Sequence, residues 1–192
     1  DGEHSIAVQI PFVQSVLPHA KIVPIVVGSF DPAVCARFGR TLAKVLKGRR
    51  VVLVASSDLS HYPIQRDAVL VDARTLEAVA SLDPDTFGSA LSRTDEARPN
   101  NLATSACGEG AIRVVIEAAR ALGASRGTVV SYANSGDTIS GESGRVVGYG
   151  AVVFGRGERG SDVEALARPA PDVTRALDAA DKRVLLRLAR ET

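Results

Sequence analysis

The sequence predicts an α/β fold with a mixed sheet, and three observations lead there. Short β-branched apolar runs end in glycine or in small polar residues. Segments of helical length alternate with those runs. Helix starts and stops are marked by Asp-Pro pairs and by glycines.

Taken in order, Glu3 to Leu17 is expected to be helical, with Ile6, Val8, Ile10, Val13 and Leu17 supplying its apolar character. Pro11 should kink or restart that helix, because it lacks an N–H and clashes with the preceding turn. Ile22 to Val27 is a β-branched run closed by Gly28 and predicts a buried strand. Asp31-Pro32 then gives an N-cap followed by proline at the first helical position, and the helix runs to about Lys47 before Gly48 stops it. A second buried strand is expected at Val51 to Ala55. A helix follows from Gln65 to Leu82, and Asp83-Pro84 opens a further short helix by the same capping logic. Ser92 to Asn101 is polar and is expected to be a loop. Gly108 to Leu122 predicts a helix that stops at Gly123. Thr128 to Tyr132 and Val146 to Phe154 predict strands, and the polar stretch Ala133 to Gly144 between them is longer than a plain hairpin needs.

After Gly155 the character changes. Residues 157–175 are rich in Arg, Gly, Ala and Pro and suggest a linker. Residues 176–192 hold a basic amphipathic pattern, with Val184, Leu185 and Leu188 on one face. The first domain is therefore expected to cover residues 1–156. The sequence contains no Met and opens on Asp1-Gly2-Glu3-His4, which predicts an internal segment whose natural start lies upstream.

Composition narrows the function. Apolar residues make up 45% and charged residues 23%, as in ordinary globular proteins. A net charge of +1 gives no basic surface for nucleic acid or for an anionic membrane. No apolar run approaches the roughly 20 residues that span a bilayer, and no secretory leader is visible. Two cysteines, Cys35 and Cys107, do not make a disulfide framework. A reducing cytoplasm is the expected compartment.

The chemistry gathers at element boundaries. Ser56-Ser57-Asp58-Leu59-Ser60-His61 follows the apolar run that ends at Ala55. Ligands in open α/β sheets bind outside the carboxyl ends of strands. Asp58 and His61 are three apart, so both side chains reach one pocket, and the carboxylate would fix the imidazole tautomer. Tyr62 would close that pocket as a packing aromatic. Cys107 stands where a long helix begins, and a thiol at a helix N-terminus tends toward thiolate. His4 stands at the head of the first helix. Two His, one Cys and one Asp at element boundaries form a metal-capable set. Each also has a plainer role: a helix-head His as a cap or surface residue, a Cys as inert packing, Asp58 as an N-cap. Cys35 falls mid-helix and is expected to be inert, and His19, in a connecting loop, is expected to be solvated.

Several short blocks resemble one known family in their order. Glu3-His4-Ser5-Ile6 with Gln9-Ile10-Pro11-Phe12, then Val23 to Gly28, then Ser56 to Tyr62, then Ala106-Cys107-Gly108, then Tyr132 to Asp137 and Val147 to Ala151 are similar to blocks of the Memo family. That family resembles class III extradiol dioxygenases, whose iron is held by two His and a carboxylate. The resemblance implies a three-layer fold, a mixed sheet with helices on both faces. It also implies a metal pocket with His4 and Cys107 as ligands, lined by Asp58 and His61. A further family His lies upstream; Pro18-His19-Ala20 imitates its surroundings but follows His4 instead of preceding it. Ala7 replaces an acidic residue frequent in the family.

Three functions follow as expectations. The first is metal-dependent redox chemistry of dioxygenase type, in which a divalent or redox ion activates O₂ or a substrate hydroxyl, with His61 as acid/base and Asp58 orienting it. Iron is favoured by analogy of fold, and copper by a thiolate ligand. The second is a binding module for metal or an anionic peptide without turnover. The third is a Cys hydrolase using Cys107, His61 and Asp58. Relatives of this kind accompany an AMMECR-type domain and a radical-SAM protein, and residues 176–192 resemble the first helix of such a domain, or else a docking helix.

Overall fold

Four amphipathic helices carry most of the packing. The structure, a computed structural model, describes residues 4–97, 99–138 and 141–157. Helix α1 is Ile10–Val16, α2 Pro32–Leu46, α3 Gln65–Ala80, α4 Pro84–Ala97 and α5 Glu109–Ala121. Strand β1 is Arg126–Asn134 and β2 is Gly148–Gly155, paired antiparallel with an irregularity between Val129 and Ser131. These five helices and the antiparallel sheet make the α/β class expected from sequence.

The helix ends follow from local chemistry. The Asp31 carboxylate accepts from the Val34 N–H at 2.8 Å, one of the donors that the first turn of α2 leaves free. Asp83 does the same for Thr86, accepting from its N–H at 3.0 Å and its hydroxyl at 2.7 Å. These two bonds from Thr86 hold the Asp83 carboxyl below its ordinary range. At the far end of α5, Gly123 takes φ +92°. Its N–H donates to Arg120 O and that of Ala124 to Ala119 O, both at 2.9 Å, which completes the double hydrogen bond of a Schellman cap. Replacing Asp31 with Ala is expected to cost about 1 kcal/mol, read as a lower urea midpoint at unchanged slope.

The core lies where α3, α4 and α5 meet. Ala78, Val79, Phe87, Ala90, Leu91, Ala106, Ile112 and Ile116 form it, and Ala55, Val152 and Phe154 pack against it. Helix α2 lies along α5, and α3 packs on α4 and on both strands. Close approach of α2 to α5 requires Gly39, where a Cβ would sit 2.6 Å from the Val114 carbonyl oxygen.

Four expectations are corrected. The segment Glu3 to Leu17 is not one helix: Ala7–Gln9 is a 3₁₀ turn and α1 starts at Ile10, with Pro11 in its first turn, where the missing N–H costs nothing. Helix α4 is not short; it continues through Ser92 to Ala97, because Phe87, Ala90, Leu91 and Thr94 form a buried i, i+3, i+4, i+7 stripe. The two apolar runs at 22–27 and 51–55 are extended but belong to neither strand of the ladder. Val23 and Val52 are 80% and 77% exposed, so neither run is a buried strand among the described residues. The sheet of the described residues is therefore the antiparallel pair, not the mixed one expected. All of the expected linker at 157–175 beyond Gly157, and the amphipathic segment at 176–192, lie outside the described residues. Among those described, no helix is long and apolar enough to cross a membrane.

Candidate metal centre

The site forms where the extended segment ending at Ala55 meets the start of α5. Its centre is the turn from Asp58 to Tyr62, in which each of five successive backbone N–H groups has its own partner. Asp58 N–H donates to Cys107 Sγ at 3.2 Å and Leu59 N–H to Gly148 O at 2.8 Å. Ser60 N–H donates to Asp72 Oδ1 at 2.8 Å, His61 N–H to Thr104 O at 3.0 Å and Tyr62 N–H to Val146 O at 2.7 Å. Backbone groups tied this densely leave the turn little freedom. Tyr62 takes φ +76°, a left-handed conformation that disfavours a bulky side chain and persists only under such constraint. The Arg145 guanidinium lies 4.0 Å from the centre of its ring and helps hold it.

The start of α5 seats on the same turn. Ser57 Oγ accepts from Gly108 N–H at 2.8 Å and donates to Asp58 O at 2.6 Å. A Cβ at position 108 would sit 2.7 Å from Ser56 O and from Ser57 Cβ, so only glycine lets the helix cap approach this far. Cys107, one residue earlier, is thereby placed over the turn, exposed and accepting from the Asp58 amide.

Asp58, His61 and Cys107 each present one donor atom, and all three atoms lie within 4.8 Å of one another. His61 Nε2 is buried and makes no hydrogen bond. Asp58 Oδ2 lies 3.4 Å from it, close enough for charge attraction but not aligned as an acceptor. A buried ring nitrogen without a partner costs free energy unless something else binds it. An ion reached through this nitrogen, the Cys107 sulfur and an Asp58 oxygen would satisfy it, so the residues present fit a metal. The donor set is one N, one S and one O, which suits borderline and softer ions better than Mg²⁺ or Ca²⁺. Tyr149 on β2 borders the group, its hydroxyl pushed up first by burial and then by the Asp58 charge.

The sequence placed Asp58 and His61 beside a metal and Cys107 on it; the structure brings all three together as possible ligands. His4 is exposed and is not in that group. Its neighbour Ser5 is nonetheless tied to the turn: Ser56 Oγ donates to Ser5 O at 2.7 Å and accepts from Gln9 Nε2 at 3.0 Å. His19 is exposed, as expected of a loop residue. Cys35 is buried on α2 with its thiol on Ser29 O, and burial pushes that thiol up, as inert packing requires.

A family model described as Memo-like protein matches residues 1–153. The chain belongs to the Memo family. Among its relatives, a MEMO1 family protein of Methanosarcina acetivorans is 37% identical over 154 residues, which is 79% of this chain and 54% of the relative. That of Caldivirga maquilingensis is 36% identical over 156 residues, 80% of this chain and 52% of the relative. The chain thus spans about half the length of the curated relatives it matches. In this Memo protein two residues to which the sequence assigns no role, Asp72 and Tyr132, are hydrogen-bonded to each other beneath the site turn, Asp72 also accepting from Ser60 N–H. Asp72 is mid-helix and acidic, which suggests a surface position. The available signal was its place on the α3 face that also holds Ala68, Thr75 and Val79, all of which the helix buries.

Proposed function

We propose that this Memo protein holds a divalent or redox metal ion at Asp58, His61 and Cys107 and uses it in redox chemistry of dioxygenase type. The observation that supports the reading is the buried, unpartnered His61 Nε2 within 4.8 Å of a thiol sulfur and a carboxylate oxygen. His4 is kept as a further ligand in this proposal, since Ser5 is anchored to Ser56 two residues before Asp58. Iron is favoured by analogy of fold, and copper by the sulfur ligand. A bound redox ion would supply Lewis acidity and electron transfer to a coordinated substrate.

The chain's own residues supply the rest. Cys107 is exposed and the Asp58 side chain is 47% exposed, so substrate reaches the donors from solvent. The His61 side chain is 22% exposed and its orientation is fixed by the hydrogen-bonded turn. Where His4 and Cys107 hold the ion and His61 stays off it, Asp58 would instead stabilise the His61 imidazole as it takes a proton from substrate. The AMMECR-type domain and the radical-SAM protein are proposed as partners, in a cytoplasmic setting.

Cobalt(II) titration of the full chain, followed by its absorption bands, tests the reading. Wild type is expected to bind one ion with a sulfur-to-metal charge-transfer band. Cys107→Ser should remove that band, and His61→Ala and Asp58→Ala should each weaken binding by roughly tenfold or more. His4→Ala weakens it only if His4 is a ligand. Iron and copper content after anaerobic purification then names the ion. A wild type that takes up no cobalt, iron or copper sinks the proposal. Covalent acylation at Cys107 by an activated ester, abolished in Cys107→Ser, would point to the hydrolase instead. Metal held tightly with no substrate consumed would point to a binding module.

A further inference from the structure

The Asp58–Tyr62 turn has four backbone or Cys107 anchors and one anchor of a different kind. The N–H at its middle, Ser60, donates to a carboxylate from α3, twelve residues away. That carboxylate, Asp72, is wholly buried. Its second oxygen accepts from the Tyr132 hydroxyl on β1 at 2.8 Å. Oδ1 is thus taken by Ser60 and Oδ2 by Tyr132, and Asp72 is not a member of the metal-capable group.

A buried acidic side chain on a helix is expensive unless it does something for the surrounding structure. Burial pushes the Asp72 carboxyl up, and the Ser60 amide and Tyr132 hydroxyl pull it back only in part. The same geometry drives the Tyr132 hydroxyl well above its ordinary range, by burial first and then by its bond to Asp72. The fold also makes room for this group. A Cβ at position 148 would overlap Asp72 Oδ2, so β2 begins with glycine where the carboxylate is seated. Gly148 in turn holds the site turn, accepting from Leu59 N–H at 2.8 Å and donating to Ser60 O at 2.9 Å. One buried carboxylate therefore touches α3, β1, β2 and the centre of the turn that carries both Asp58 and His61.

We propose that Asp72 is a positioning residue: through the Ser60 amide it fixes the turn so that the Asp58 and His61 donor atoms converge on Cys107. This deepens the metal reading and rests on it for its functional consequence. A charge-assisted bond is stronger than a neutral one and fixes its donor more tightly. Outer partners that orient ligands are worth roughly 10–100-fold in metal affinity. Asp72 would act so at one remove, through backbone instead of through a ligand side chain.

Two readouts on the full chain test it. One is cobalt(II) affinity; the other is amide hydrogen exchange of the metal-free protein at residues 58–62. Asp72→Ala removes the acceptor and Asp72→Thr draws its single oxygen one bond back from Ser60, while Asp72→Asn keeps an oxygen for Ser60 and an N–H₂ for Tyr132. Leu91→Ala, in the core of α4, controls for general loss of stability. Asp72→Ala and Asp72→Thr are expected to lower cobalt affinity by roughly tenfold or more and to speed exchange at 58–62 while α5 and β1 stay protected. Asp72→Asn, which keeps the bond to Ser60 without the charge, should fall between wild type and Asp72→Ala in both, and Leu91→Ala should leave both unchanged.

Wild-type affinity and slow exchange in folded Asp72→Ala or Asp72→Thr would overturn the proposal. So would an Asp72→Asn protein as impaired as Asp72→Ala. Failure of both truncated variants to fold would also overturn it, in favour of a general structural role. If wild type itself binds no cobalt, the metal reading fails, and the exchange comparison alone decides whether Asp72 fixes the turn.

Discussion

Replacing Phe87 with alanine is expected to cost about 3–5 kcal/mol of stability. Phe87 is wholly buried and sits in the cluster that joins Val79 of α3, Leu91 of α4 and Ile112 and Ile116 of α5. Truncation removes the transfer free energy of the ring and leaves a void that three close-packed helices do not fully close. It also takes away the ring under the Arg113 guanidinium, 5.5 Å from its centroid. Arg113 itself is almost buried and is held by Glu109 at 2.8 Å, so it has no exposed refuge. Domains of this size are stable by about 5–15 kcal/mol, so the loss is a large fraction of the whole. The measurement is a urea midpoint, with the slope checked for constancy. Phe12, on α1 and 71% exposed, is the comparison; Phe12→Ala should stay within about 0.5 kcal/mol. Equal losses at the two positions would mean that the α3–α4–α5 cluster is not the core.

What the sequence shows and what it hides divide along the range of the interaction. Asp31-Pro32, Gly48, Asp83-Pro84 and Gly123 mark helix ends by contacts within a few residues, and the helices begin and end there. Helix α4 was underestimated because its exposed side, with Ser92, Arg93, Asp95 and Glu96, masks a buried stripe of only four residues. The runs at 22–27 and 51–55 are extended as their β-branched residues require, but burial depends on neighbours, and Val23 and Val52 face solvent. The site divides in the same way. Asp58, His61 and Cys107 stand at element boundaries and were legible. The Asp72–Tyr132 hydrogen bond spans 60 positions, and no local pattern announces it.

Gly110→Ala is expected to loosen the candidate metal site from a distance, because the placing of Cys107 depends on how closely α5 seats. Gly110 is buried in the first turn of α5, against Val27 and Ser29. A Cβ there would overlap the Ser29 carbonyl oxygen and come within 3.1 Å of Val27 Cγ1. Two opposed terms set the outcome. Alanine improves helix propensity over glycine by about 1 kcal/mol. Overpacking costs up to about 3 kcal/mol, and here the obstacle is backbone, which no rotamer change relieves. The second term wins, leaving a net loss of about 2 kcal/mol. The helix start must also back away from the segment at Ser29, and Cys107 moves with it. The 3.2 Å contact from the Asp58 amide to the Cys107 sulfur then lengthens, and cobalt affinity should fall by roughly tenfold or more. Gly28→Ala is the control, since a Cβ there meets nothing within 4 Å. A Gly110→Ala protein with wild-type stability and wild-type cobalt binding would show that the seating of α5 does not govern the centre.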